Sequence, residues 1–131
     1  MASSVTETLS KLGPVCCLTL AVTAHTDGTV TAYPLTKKFS GRLLALETDP
    51  GATAPTDNYD LTITDANGLD VLQGVGANRH TSTTQMAAIV FSGTSVHPPV
   101  SMGDTLTLNV ANNSVNGATF TLKLYVEGRA A

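Results

Sequence analysis

With 131 residues, 42% of them hydrophobic and only 13% charged, the chain is sized for a single domain with one real core. Its formal charge is −3, and the basic residues Lys11, Lys37, Lys38, Arg42, Arg79, Lys123 and Arg129 are scattered, whereas neutralising nucleic-acid phosphates needs them clustered. No apolar run approaches the ~20 residues that cross a bilayer, so neither nucleic acid nor a membrane is an expected partner.

The charged share is half of the roughly 25% usual for soluble proteins. Thr is the commonest residue, and a surface made polar by hydroxyls suits half-buried strands. Sparse charge also fits an exterior that touches other protein; a Thr-rich sandwich explains it equally well. MASSVTETLSKLG lacks the basic and apolar regions of a secretory signal, so the expected compartment is the cytosol until a cell lyses. Cys16 and Cys17 are adjacent; in a strand they point to opposite faces, cannot readily bridge each other and fall short of a zinc site.

In chain order, residues 1–13 read as a flexible arm with at most a short edge strand near Val5 to Leu9, ended by Gly13-Pro14. The single domain then runs over 14–131. Val15 to Ala24 alternates Leu18, Leu20 and Val22 with Thr19, Ala21 and Thr23, which is a strand with one buried face. Asp27-Gly28 signals a hairpin, with Val30 to Leu35 returning as partner. Lys37 and Lys38 suit a solvated turn or guarded edge. Phe39 to Thr48 is an apolar strand, and Asp49 to Asp57 (DPGATAPTD) is an irregular loop. Tyr59, Leu61 and Ile63 then alternate with Asp60, Thr62 and Thr64. The Asn67-Gly68 turn leads to a short strand over Leu69 to Gln73.

Gly74 to Thr84 is a polar loop. Gln85 to Phe91 is ambiguous: Ser82 and Gln85 have capping-box spacing, yet the run is short for a helix and a strand is favoured. His97-Pro98-Pro99 excludes a central strand around it. Leu106, Leu108 and Val110, then Phe120, Leu122, Leu124 and Val126, alternate with polar residues and predict a C-terminal hairpin. About eight short strands with turns every ~8–12 residues predict an all-β fold, an antiparallel β-sandwich or jelly roll.

Chemistry is hard to find in this pattern. His25, His80 and His97 fall in separate loops without ligand spacing. Asp65-Ala66-Asn67-Gly68-Leu69-Asp70 looks like a calcium loop, but an EF-hand places its glycine one position later and would need a Glu where Gly76 stands. Asp57, Asp60, Asp65 and Asp70 could supply a carboxylate pair for glycoside hydrolysis, yet they sit at turn edges and on a polar strand face. No nucleophile elbow, phosphate-binding glycine loop or Trp platform is present. Neither enzyme activity nor a metal or cofactor is expected.

The segments GRLLALETDPGATAPTDNYDLTITDANGLDVLQG and DTLTLNVANNSVNGATFTLKLYV resemble jelly-roll capsid decoration, or cement, proteins of tailed phages. The likeness spans Gly41 to Val126 and rests on turn-rich stretches, none of them catalytic. It implies a virion protein on the outer capsid surface, bound to the major capsid protein across capsomer junctions and assembled as a dimer or trimer. Val5, Leu9 and Leu12 of the arm, and Pro50, Gly51, Thr53, Pro55 and Thr56 of the loop, are then the candidate capsid or protomer contacts. The competing expectation is a glycan- or receptor-binding module of a phage tail or baseplate.

Overall fold

The computed structural model describes residues 2–91, 100–103 and 105–130; His97-Pro98-Pro99 lies outside them. Two antiparallel sheets form a sandwich built from β1 (Ser4–Leu12), β2 (Val15–Thr23), β3 (Tyr33–Pro34), β4 (Phe39–Pro50), β5 (Asp60–Thr64), β6 (Gln85–Ala88), β7 (Val100–Met102), β8 (Thr107–Ala111) and β9 (Thr119–Ala130). The larger sheet runs β1-β2-β9-β4, with β6 and β7 both on the free side of β4; the smaller runs β3-β8-β5. Only β1 to β2 and β6 to β7 connect within a sheet, and every other connection crosses the sandwich. With β2, β9, β4 and the β6–β7 row facing β3, β8 and β5, this is the strand order of a jelly roll. A fourth strand of the smaller sheet is replaced by the isolated bridges Thr64↔Asp70 and Tyr59↔Arg79.

Period-two alternation builds the core as expected. Cys16, Leu18, Leu20 and Val22 of β2 lie opposite Val126, Leu124, Leu122 and Phe120 of β9, and all eight are buried. Leu61 and Ile63 of β5, with Leu106 and Leu108, close the core from the other sheet. Each such side chain contributes about 1.5–3 kcal/mol on leaving water. One irregularity breaks the period in β4: a bulge at Leu44, between Leu43 and Ala45, lets Leu43 and Leu46 both point inward although they are three residues apart. The bulged residue is still used, since its carbonyl accepts the Ile89 amide at 2.9 Å.

Four expectations are corrected. Residues 1–13 are not a loose arm: the short edge strand expected near Val5 to Leu9 is present but runs from Ser4 to Leu12 and pairs with β2 in nine unbroken steps, because Gly13-Pro14 is the turn of a hairpin, with Gly13 at φ 58°. Asp27-Gly28 does turn the chain tightly, but Val30 to Leu35 does not return beside β2; Tyr33 and Pro34 cross over to pair with β8. Leu69 to Gln73 is not a strand, because Asp70 gathers the amides of Ile63, Leu72 and Gly74 and folds the segment into turns. β8 and β9 are not a hairpin: each buries one face, but they bury those faces against one another from opposite sheets. Gln85–Ala88 is a strand, as expected.

Candidate functional site

The exposed surface is organised by the outer face of the larger sheet. Cross-strand register lines its outward residues into rows, one of them Thr8, Thr19, Lys123, Glu47 and Met86, the next Thr6, Ala21, Thr121 and Asp49. Hydroxyls and small side chains dominate, and the charges largely answer one another. Lys123 approaches Glu47 at 3.9 Å, Arg42 approaches Glu127 at 3.8 Å, and Asp49 accepts the Thr84 hydroxyl at 2.7 Å. These ion pairs are too exposed to add much stability; their effect is a face with little net field.

Two features bound this face at its ends, about 27 Å apart along β9 at the strand rise from Thr119 to Glu127. One is the loop after β4. The Gly51 amide donates to the Thr119 carbonyl at 2.8 Å, and the Thr119 amide donates to the Thr53 carbonyl at 2.8 Å. The Thr56 amide reaches Asn113 Oδ1 at 2.9 Å, and the Thr81 hydroxyl reaches the Pro55 carbonyl at 2.6 Å. A Cβ on Gly51 would come within 2.3 Å of Thr119 Oγ1, so only glycine lets the loop lie this close. The loop is therefore held in one shape by hydrogen bonds to Thr119, Asn113 and Thr81.

The other end carries a trough of about 370 Å³ lined by Ser10, Lys11, Leu12, Val15, Cys17 and Tyr125. Its wall at the β1–β2 turn is Leu12, which is 87% exposed, the most exposed large apolar side chain among the described residues. Burial in this setting, reinforced by the Glu47 charge, pushes the Tyr125 phenol above its ordinary value.

The eight candidate contacts divide unequally. Leu12, Gly51 and Thr53 face solvent, Pro50 and Thr56 are half-buried, and Pro55 is buried. Val5 and Leu9 are not presented outward. Strand alternation sends Ser4, Thr6, Thr8 and Ser10 to the outer face, so Val5 and Leu9 turn inward and pack against the core. The outer face itself was missed, although Thr6-x-Thr8, Thr19-x-x-x-Thr23 and Thr119-x-Thr121 announce it by their spacing.

The acids are tied to local turns. Asp65 accepts the Asn67 and Leu69 amides, Asp60 the Asn78 amide and the Asn112 side chain, and Asp57 the Thr81 amide. His80 Nδ1 accepts the Ser82 and Thr83 amides, and His25 Nδ1 accepts the Ser3 amide at 3.0 Å. Among the described residues no group of three His, Cys, Asp or Glu could hold a metal ion. Cys16 is buried and Cys17 lies on the opposite face, both as free thiols.

Glu7 was also missed as a structural residue. It sits on the inner side of β1 and accepts from the Tyr33 hydroxyl (2.7 Å), the Thr36 amide (2.9 Å) and hydroxyl (2.8 Å), and the Lys37 amide (3.0 Å). Nothing in a polar N-terminal stretch distinguishes such a clamp from a solvated acid. No family model, curated protein or solved structure matches the chain.

Proposed function

We propose that this protein is a structural accessory of a tailed-phage virion, lying with the outer face of its larger sheet on the major capsid protein and bracing the shell across capsomer junctions. The observation that supports this reading is the face itself: rows of hydroxyl and small side chains, charges paired within it, and a rigid loop at one end. Protein interfaces are depleted in charged residues at their centre, and a hydroxyl-rich face whose few charges are paired comes near that requirement. Four strand spacings by about 27 Å give a face on the order of 500 Å². That is below the ~800 Å² per partner of a stable pairwise complex, so firm attachment comes from copies repeated by the symmetry of the shell.

The test is co-sedimentation with DNA-filled heads. Wild-type protein is expected at a fixed ratio to the major capsid protein, and Thr19→Lys with Thr121→Lys is expected to lose occupancy without losing its fold. Equal occupancy of the double variant on heads would remove the face from the reading. Absence of the wild-type protein from purified heads would remove the reading itself.

A second reading, a glycan- or receptor-binding module of a tail or baseplate, is favoured by the trough, where Tyr125 offers an aromatic wall beside Ser10. It requires saturable sugar binding on a glycan array that Tyr125→Ala abolishes.

A further inference from the structure

We propose that the open edge of β1 pairs antiparallel with β1 of a second copy, joining two larger sheets into one continuous sheet across a two-fold axis at Leu9. The proposal stands apart from the capsid reading, since it concerns the free protein.

The geometry begins at the Gly13-Pro14 turn. In a two-residue hairpin the closing pair, Leu12 and Val15, exchanges hydrogen bonds, so Ser4, Thr6, Thr8, Ser10 and Leu12 spend their amides and carbonyls on β2. The amides and carbonyls of Val5, Glu7, Leu9 and Lys11 therefore point away from the sheet. Among the described residues no backbone group outside β1–β2 meets them.

Edges of this kind are normally guarded by shortness, a proline, a bulge or projecting charge. The other edges follow the rule. β6 and β7 are four and three residues long, β3 has two residues, one of them Pro34, and β5 is covered by the bonds of Leu61 to Gly76 and of Val71 to Ile63. β1 is nine residues long, keeps register with β2 without a bulge and contains no proline. Of its two charged residues, Glu7 is folded under to Tyr33, Thr36 and Lys37, which leaves Lys11.

Charge fixes both the occupant and the register. Hydrogen-bonded pairs across the new seam must join the outward-pointing positions 5, 7, 9 and 11 of each copy. Glu7 opposite Glu7 sets like charges face to face, Lys11 opposite Lys11 does the same, and Glu7 opposite Leu9 sets a charge against an apolar side chain. Pairing Leu9 with Leu9 avoids these and places Lys11 of each copy opposite Glu7 of the other, where the ammonium meets a carboxylate that keeps its own bonds to Tyr33, Thr36 and Lys37. The seam then carries about six backbone hydrogen bonds. Leu12, the exposed residue at the tip, comes opposite Thr6 of the second copy.

Sedimentation equilibrium of the full chain is expected to show a monomer–dimer equilibrium. Lys11→Pro deletes one outward amide while leaving the β2 ladder intact, and should weaken the dimer by about tenfold or more. In a Cys17→Ser background, Thr8→Cys with Ser10→Cys should give a covalent dimer in oxidised glutathione. Those two positions face each other as a non-hydrogen-bonded pair at about 4.5 Å between Cα atoms. Thr8→Cys alone should stay monomeric on a denaturing gel. A chain monomeric at every concentration, a Lys11→Pro dimer of unchanged affinity, or cross-linking by Thr8→Cys alone as efficient as by the pair would each overturn the proposal. Should Lys11→Pro lower the melting temperature, the cysteine pair decides it alone.

Discussion

Tyr33 donates its phenolic hydrogen to Oε2 of Glu7 at 2.7 Å, tying an outer strand of the smaller sheet to the edge strand of the larger one. The same carboxylate holds the Thr36 and Lys37 amides, so one side chain closes one side of the sandwich. Partial burial opposes its charge, but the Thr36 amide, the Tyr33 hydroxyl and the Lys37 amide outweigh that and hold the carboxyl below the ordinary glutamate range. Because the folded value is lowered, the stabilisation is complete above the unfolded value of about 4.3 and is lost as pH falls through the lower folded value. Glu7→Gln should cost about 1–2 kcal/mol in urea unfolding at neutral pH, and the difference from wild type should shrink at acid pH.

Thr48 and Tyr59 carry the two buried hydroxyls that lack a hydrogen-bond partner among the described residues, and they lie near one another in the core. Burial, partly offset by the Thr48 hydroxyl and the Arg79 charge, pushes the Tyr59 phenol up to about 12. The raised value means that stability is complete below about pH 10, the unfolded tyrosine value, and is lost as pH rises through about 12. Tyr59→Phe should abolish that alkaline loss. The ring, tilted against that of Phe120 with centroids 5.0 Å apart, stays in place, so neutral-pH stability should hold or rise by up to about 1 kcal/mol. Thr48→Val should behave alike at neutral pH and leave a phenol titration detectable by ultraviolet absorbance.

Gly41 and Gly128 face each other across β4 and β9 with φ of 150° and 158°. A Cβ on Gly41 would stand 2.1 Å from the Glu127 carbonyl oxygen, and one on Gly128 would stand 2.0 Å from that of Ser40. The obstacles are backbone, which cannot step aside as a side chain can. Either alanine substitution should therefore cost about 2–4 kcal/mol, read as a lower urea midpoint at unchanged slope. Gly13→Ala meets no atom within 4 Å and should cost only its positive-φ strain, about 1 kcal/mol.

Asp70 organises the segment after β5 through three backbone amides, those of Ile63, Leu72 and Gly74. Asp70→Ala should cost about 2 kcal/mol and raise amide hydrogen exchange at Leu72 and Gly74 before it does so in β2 or β9. Asp70→Asn keeps an acceptor oxygen and should recover part of the loss.

Strands whose inner face is wholly apolar were legible from period alone: Leu18 to Val22, Leu61 and Ile63, and Phe120 to Val126 announce themselves. β1 was legible only as a short edge strand near Val5 to Leu9, because at the edge of the sheet only those two need be apolar and Glu7 between them reads as solvent-facing. Pairing was less legible than strands. Asp27-Gly28 and the 112–117 turn carry ordinary hairpin chemistry, yet a tight turn fixes only where a chain bends. Whether the next strand lies beside its predecessor or across the core depends on which apolar faces remain uncovered, a property of the whole chain. The candidate contacts suffered in the same way, since presentation of Val5 and Leu9 depends on a pairing with β2 that the residue pattern does not announce.

The position of β9 has a consequence for how the chain comes to be folded. It lies between β2 and β4 in the larger sheet, yet it leaves the ribosome after both of them and after every strand of the smaller sheet. Until it emerges, β1–β2 and β4 with its short neighbours have no shared ladder, and the apolar faces of Leu18, Leu20 and Leu43 have no central strand to join them. Folding is thus deferred until β9 has been made and is governed by pairings of high sequence separation, which places it in the slow, millisecond-to-second class. A nascent chain stalled before Thr119 would expose two unpaired inner edges, and it is at that stage that a chaperone would find the most to hold.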